Sequence, residues 1–201
     1  MIKNVGILIF DDAEVLDFAG PFEVFSVTSQ INSLKPFNVF TISKDGRMVS
    51  AVNGLKVQPD YAIDNYPEID ILILSGGQGT RALLNDVSLL SWINQIHQSA
   101  ELTLSICSAS RLVGKIGLLD GLCFCTHNDV YEHMLEIAPT AIPQQHKRFT
   151  QSSDKLYTSG GISAGIDLSF YIIAQLLGED VAFNTAEYME YNYQSHYATH
   201  E

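Results

Sequence analysis

The chain has 201 residues, 46% hydrophobic and 17% charged, a balance that suits one globular domain with ample material for a core. Its formal net charge of -12 repels phosphate backbones and anionic membrane surfaces, which argues against nucleic acid and membranes as partners. No apolar run approaches the ~20 residues of a membrane span, and three cysteines, an odd number, favour reduced thiols inside the cell, in the cytoplasm, over a disulfide framework.

The N-terminal MIKNVGILIFDD lacks a small-residue cleavage site and reads as a first strand over Val5–Phe10, not as a signal peptide. Its continuous apolar character is that of a parallel strand covered on both faces. Phe18, Phe22 and Phe25 then recur at helical spacing, with Pro21 assigned to the first turn. A second strand is expected over Pro36–Ser43. Asp45-Gly46 and Asn53-Gly54 mark a small hairpin excursion. Ile69–Leu74 is a third strand, ending in Ser75-Gly76-Gly77-Gln78-Gly79. Leu89, Leu90, Trp92, Ile93 and Ile96 form the stripe of the next helix, and Leu102–Ile106 is a fourth strand.

After Cys107, Leu112, Val113 and Ile116 support a helix ended near Gly117. A short strand over Leu122–Thr126, a helix over Val130–Ala138 stopped by Pro139, and a hairpin over Phe149–Tyr157 around Ser153-Asp154 follow. Ser159-Gly160-Gly161 leads into a helix over Ala164–Leu177, and Ala182–Tyr191 is one more. Strands alternate with helices, which predicts a three-layer α/β sandwich around a mostly parallel sheet. No repeat or linker interrupts residues 1–201, read as a single domain. The tyrosine-rich Glu187–Glu201 suggests only a dimer or surface role.

Sites in open α/β sheets gather at the carboxyl ends of strands. Asp17, Gly76-Gly77, Cys107 and His127 each follow one of these strands. A cysteine where a strand enters a helix meets unpaired N–H groups that favour the thiolate, so Cys107 is expected to be the one thiol of depressed pKa. The turn resembles the nucleophile elbow of serine hydrolases. Free N–H groups of Gly76, Gly77 and Ser108 would receive a developing negative charge. The alternative is a buried cysteine packed as a small apolar side chain. Cys123 and Cys125, two apart on one strand face, read as core. With His127 the only further candidate ligand nearby, no metal site is expected.

Five stretches carry a family resemblance: VGILIFDDAEVLDFAGPFEVF at 5–25, DILILSGGQGT at 70–80, ICSASRLVGKIGLLDG at 106–121, THND at 126–129 and LYTSGGISAGIDLSFYII at 156–173. The chain resembles the ThiJ/PfpI superfamily, related in fold to class I glutamine amidotransferases. Within it the likeness is to the isonitrile hydratase-like branch, which also supplies N-terminal domains of some AraC-type regulators. The resemblance implies a flavodoxin-like fold, a homodimer and no cofactor. It implies Cys107 as nucleophile, Asp17 as acid–base, Ser108 in place of a threonine hydroxyl, and Gly77 at the backbone oxyanion position. Gly76, His127, Gly161 and Arg111 complete the candidate oxyanion and substrate-binding set.

The implied reaction is attack of Cys107 on an isonitrile carbon of a small-molecule substrate and hydrolysis of the thioimidate to an N-substituted formamide. A glyoxalase- or deglycase-like activity on reactive carbonyls is an alternative, although that branch places a glutamate where Asp17 stands. A redox- or ligand-sensing module using Cys107 is another. With the chain ending at Glu201, no room for a DNA-binding domain is expected. Arg111 stands where the family is apolar. It implies either an ion pair with a carboxylate or recognition of an anionic substrate group.

Overall fold

The computed structural model describes residues 2–194; the tail at 195–201 lies outside the described residues. The chain runs β1 (Lys3–Leu8), α1 (Val15–Ile31), β2 (Phe37–Ser43), β3 (Val49–Ser50), β4 (Lys56–Val57), β5 (Tyr61–Ala62), β6 (Ile71–Leu74), α2 (Thr80–Leu83), α3 (Val87–Ser99) and β7 (Leu102–Ser105). It continues through α4 (Ser110–Lys115), β8 (Cys123–Phe124), α5 (Tyr131–Ile137), β9 (Ile142–Pro143), β10 (Phe149–Gln151), β11 (Leu156–Ser159), α6 (Ala164–Leu177) and α7 (Glu179–Tyr188).

Seven strands form the main sheet in the order β10-β11-β7-β6-β1-β2-β5. All neighbours are parallel except the β10–β11 edge hairpin. This is the mostly parallel α/β architecture expected. The central strands explain their own composition: Val5, Ile7 and Leu8 of β1 and all four residues of β6 are wholly buried, so apolar side chains are needed on both faces. Helices flank the sheet, with α1, α6 and α7 packed together and α4 against α2 and α5. Among the described residues no helix is long and apolar enough to cross a membrane.

The hairpin excursion forms as β3 against β4, around a turn where Asn53 and Gly54 adopt φ of 63° and 88°. Two local expectations need correction. Pro21 lies inside α1 rather than in its first turn, because the helix begins at Val15. Having no N–H, Pro21 cannot pair with the Asp17 carbonyl one turn back. The strand expected over Leu122–Thr126 shortens to β8, which pairs with β9 outside the main sheet. Cys125 therefore lies beyond the strand. It is wholly buried, its thiol donating to the carbonyls of Gln144 and Lys147, whereas Cys123 is only half-buried.

The parallel order β7-β6-β1 brings three strand ends side by side. The loop after β6 is stitched to the start of α1: the Glu14 N–H donates to the Gly76 carbonyl at 2.9 Å, and the Gly76 N–H donates to Asp17 Oδ2 at 3.0 Å. Residues 90 apart in sequence, Asp17 and Cys107, are thereby set against one another.

Candidate active site

Cys107 follows β7 on a sharp turn. Its φ is 56°, a left-handed value that costs a non-glycine residue on the order of 1–3 kcal/mol and persists only where the surroundings enforce it. Three contacts hold it. The Cys107 N–H donates to the Gly160 carbonyl at 3.2 Å, the Thr126 hydroxyl donates to the Cys107 carbonyl at 2.9 Å, and the Ser110 and Thr126 hydroxyls are 2.7 Å apart. A 3₁₀ turn over Cys107–Ala109 precedes α4, so the thiol does not sit directly at the mouth of an α-helix.

The expected depressed thiol pKa is therefore corrected. Burial pushes Cys107 up to about 12, with the negative charge of Asp17 as the second cause. The N–H groups of Ile162 and Ser108 at the sulfur oppose the shift without reversing it. A six-residue helix cannot outweigh the loss of water around a thiolate that is 5% exposed. Burial likewise raises Asp17 to about 7, helped by the charge of Glu14 and opposed by the Cys107 thiol and the Gly76 N–H. Asp17 is wholly buried, and its Oδ1 has no hydrogen-bond partner among the described residues. With Asp17 at about 7 and Cys107 at about 12, the pair holds a single proton between those two values.

The sulfur reaches a cavity of about 250 Å³. Of the expected site residues, Cys107, Ser108, Gly77, His127 and Arg111 line it. Asp17, Gly76 and Gly161 do not. Asp17 lies behind the sulfur, so it reaches a substrate only through the reacting atoms. Gly76 is needed for proximity, since a Cβ there would sit 2.7 Å from Asp17 Oδ2 and 2.9 Å from the Cys107 Cβ. A Cβ at Gly161 would meet His127 Cδ2 at 2.2 Å, so this glycine admits the imidazole edge. It lines a neighbouring cavity of about 410 Å³ instead.

The expected oxyanion donors are also corrected. The Gly76 N–H is committed to Asp17, and the Gly77 N–H donates to the Ser108 hydroxyl at 2.8 Å. That hydroxyl donates back to the Gly77 carbonyl at 3.0 Å, fastening the loop after β6 to the elbow. The N–H groups left at the sulfur are those of Ser108 and Ile162. Sequence reading missed Ile162 because a backbone donor has no side-chain signature. Its one trace is the preceding Gly160-Gly161, which frees the chain to reach a φ of 53° at Ile162.

Arg111 is 2% exposed. Its Nε donates to His133 Nδ1 at 3.0 Å and its Nη1 to the Thr80 hydroxyl at 3.0 Å. No carboxylate pairs with it among the described residues. Burial and the charge of Arg81 lower its pKa. Thr80, Arg81 and His133 carried no signal in the sequence, because α2 and α5 meet Arg111 only in the folded chain. His127 accepts the Asp129 N–H at Nδ1, which orients the ring. Among the described residues, no three His, Cys, Asp or Glu side chains converge in a metal-binding group.

A parallel α/β sandwich with a cysteine on a strained elbow, backed by a buried carboxyl and facing a small cavity, defines a class of thiol-centred proteins. The chain belongs to the DJ-1/PfpI family, whose model matches residues 3–175. It is 30% identical over 193 residues to the isonitrile hydratase of Pseudomonas putida, covering 95% of this chain and 79% of that protein. Its fold is shared with a ThiJ/PfpI family protein from Pseudomonas syringae, at a TM-score of 0.85 and 23% identity over 100% of this chain and 80% of that one.

It is also 26% identical over 189 residues to the HTH-type transcriptional regulator GbdR of Pseudomonas aeruginosa. The match covers 94% of this chain and 51% of the regulator, so the chain spans about half that relative's length. This corrects the expectation that nucleic acid is excluded as a partner. Net charge bears only on direct contact between this domain and phosphates, and the regulators contain this domain within a chain about twice as long.

Proposed function

We propose that the protein is a cysteine-dependent enzyme that adds water to an isonitrile, giving an N-substituted formamide. The observation carrying this reading is the pairing of Asp17 with Cys107, whose sulfur lines the cavity, and the 30% identity to an isonitrile hydratase supports it. A thiol raised to about 12 is a poor spontaneous nucleophile, so it needs a base at the sulfur. Asp17, at about 7, is matched to that task at neutral pH.

In the first step the Cys107 sulfur bonds to the terminal isonitrile carbon as its S–H bond breaks. Asp17 takes that proton and returns it to the same carbon, leaving a thioimidate, R–N=CH–S–Cys107. Water then adds to this carbon, one of its protons going to nitrogen. Collapse of the adduct breaks the C–S bond and releases R–NH–CHO, and the remaining proton returns to the thiol. The Ser108 and Ile162 N–H groups stabilise the sulfur while it carries charge.

A second reading, a ligand-binding module without turnover, is favoured by the match to the regulator. Its redox version is weakened by the raised Cys107 pKa, because oxidation proceeds through the thiolate. Turnover of an alkyl isonitrile to its formamide, followed by mass spectrometry, separates the two. The wild type should turn over and Cys107→Ala should not. A wild type that binds isonitriles without converting them would overturn the enzyme reading.

A further inference from the structure

We infer that the cavity beside Cys107 takes a small substrate carrying a carboxylate, which Arg111 binds together with Arg81. The inference rests on the enzyme reading for which atom of the substrate reacts, but its evidence is separate.

Arg111 is almost completely buried, and both of its hydrogen bonds go to neutral acceptors. Because Nε donates to His133 Nδ1, that ring nitrogen carries no proton, and burial together with Arg111 and Arg81 lowers the pKa of His133. His133 therefore orients the guanidinium without adding to or cancelling its charge. Thr80 does the same on Nη1, being itself fixed by donating to the Gly77 carbonyl at 2.7 Å. The second terminal nitrogen, Nη2, has no protein partner among the described residues, yet it is not among the fully enclosed unpaired atoms. Arg111 lines the cavity.

A buried arginine is ordinarily paired, because an isolated charge in a dry site costs several kcal/mol. Here the charge has no carboxylate partner among the described residues and is held by His133 and Thr80 with one terminal nitrogen open. The neighbouring cation makes the imbalance larger: Arg81 lines the same cavity and pairs with no carboxylate among the described residues. The acids on the cavity wall are Glu14 and Asp129, and Asp129 is turned to His127, 3.9 Å from Nδ1. A substrate carboxylate supplies the missing partner and suits a planar guanidinium fork. Arg111 begins one turn after Cys107, so an anion held there leaves the rest of a small molecule over the sulfur. The volume of about 250 Å³ limits that molecule to a compact one.

The test uses Cys107→Ala, so that binding is read without turnover. Calorimetry compares a short N-formyl amino acid with its neutral carboxamide analogue. The carboxylate should bind at least ~10-fold tighter, and this preference should collapse toward one in Cys107→Ala/Arg111→Gln. Equal affinity for the two ligands, or a preference that persists in a folded Arg111→Gln variant, overturns the inference. If Arg111→Gln does not fold, Arg81→Gln on the exposed rim decides. A several-fold fall in the preference supports the inference and an unchanged preference overturns it. Failure of the enzyme reading shows separately, as absence of formamide from the wild type with either charged or neutral isonitriles.

Discussion

The Gly76 N–H donates to Asp17 Oδ2 at 3.0 Å, and a side chain at residue 76 would occupy the space in which that bond is made. A Cβ at this position would fall 2.7 Å from the same oxygen and 2.7 Å from the Ser108 nitrogen, shorter than real contacts allow. Gly76→Ala should therefore push Asp17 or the elbow out of register. We expect a loss of roughly 100-fold in kcat/KM for isonitrile hydration, the scale of a misplaced catalytic group. A variant of full activity would show that the spacing between Asp17 and Cys107 is not needed.

Asp17→Asn removes the base and also the charge that helps to raise Cys107. Two opposite effects are expected. Hydration should fall by at least ~100-fold. Alkylation of Cys107 by iodoacetamide at pH 8 should become faster, because the thiolate is no longer opposed by a carboxylate. Peptide mass spectrometry of both proteins reads the second effect. Slower alkylation in the variant would mean that Asp17 activates the thiol at rest.

The same residue links folding to pH. Asp17 titrates near 7 in the folded protein against 3.8 as the ordinary value, so folding retains a proton that the unfolded chain releases. Its stabilising contribution is complete below about pH 4 and is lost as pH rises through 7. Relative to Asp17→Asn, the wild type should lose stability over that window, with a limiting slope of about 1.4 kcal/mol per pH unit for one proton. Denaturant melts of both proteins at pH 5, 6, 7 and 8 measure the difference. A wild type that gains on the variant as pH rises would contradict the raised pKa.

Ser108 both accepts the Gly77 N–H and donates to the Gly77 carbonyl. Ser108→Ala leaves the Gly77 N–H at a largely buried site without its partner, which costs about 1–3 kcal/mol, while the Gly77 carbonyl keeps the Thr80 hydroxyl. A lower denaturation midpoint is expected with little change in denaturant slope. Ser108→Thr retains the hydroxyl and should recover most of the loss. Failure of threonine to do so would shift the role from hydroxyl to side-chain size.

The sequence by itself determined the architecture. Runs such as Val5–Phe10 and Ile69–Leu74 are continuously apolar because their strands are covered on both faces, and that pattern survives in any parallel sheet. The position of Cys107 at a strand end was equally legible, because the change from an apolar run to small residues marks the turn. Only the tertiary structure decided the state of the thiol. Its pKa depends on how much water the fold removes and on a carboxyl 90 residues away, and neither quantity is local. It also decided which glycine N–H groups were already committed, that Ile162 supplies a backbone donor, and that Arg111 meets no carboxylate among the described residues. Each of those facts is a pairing between elements distant in the chain, made when β6, β7 and the helices around them pack against one another.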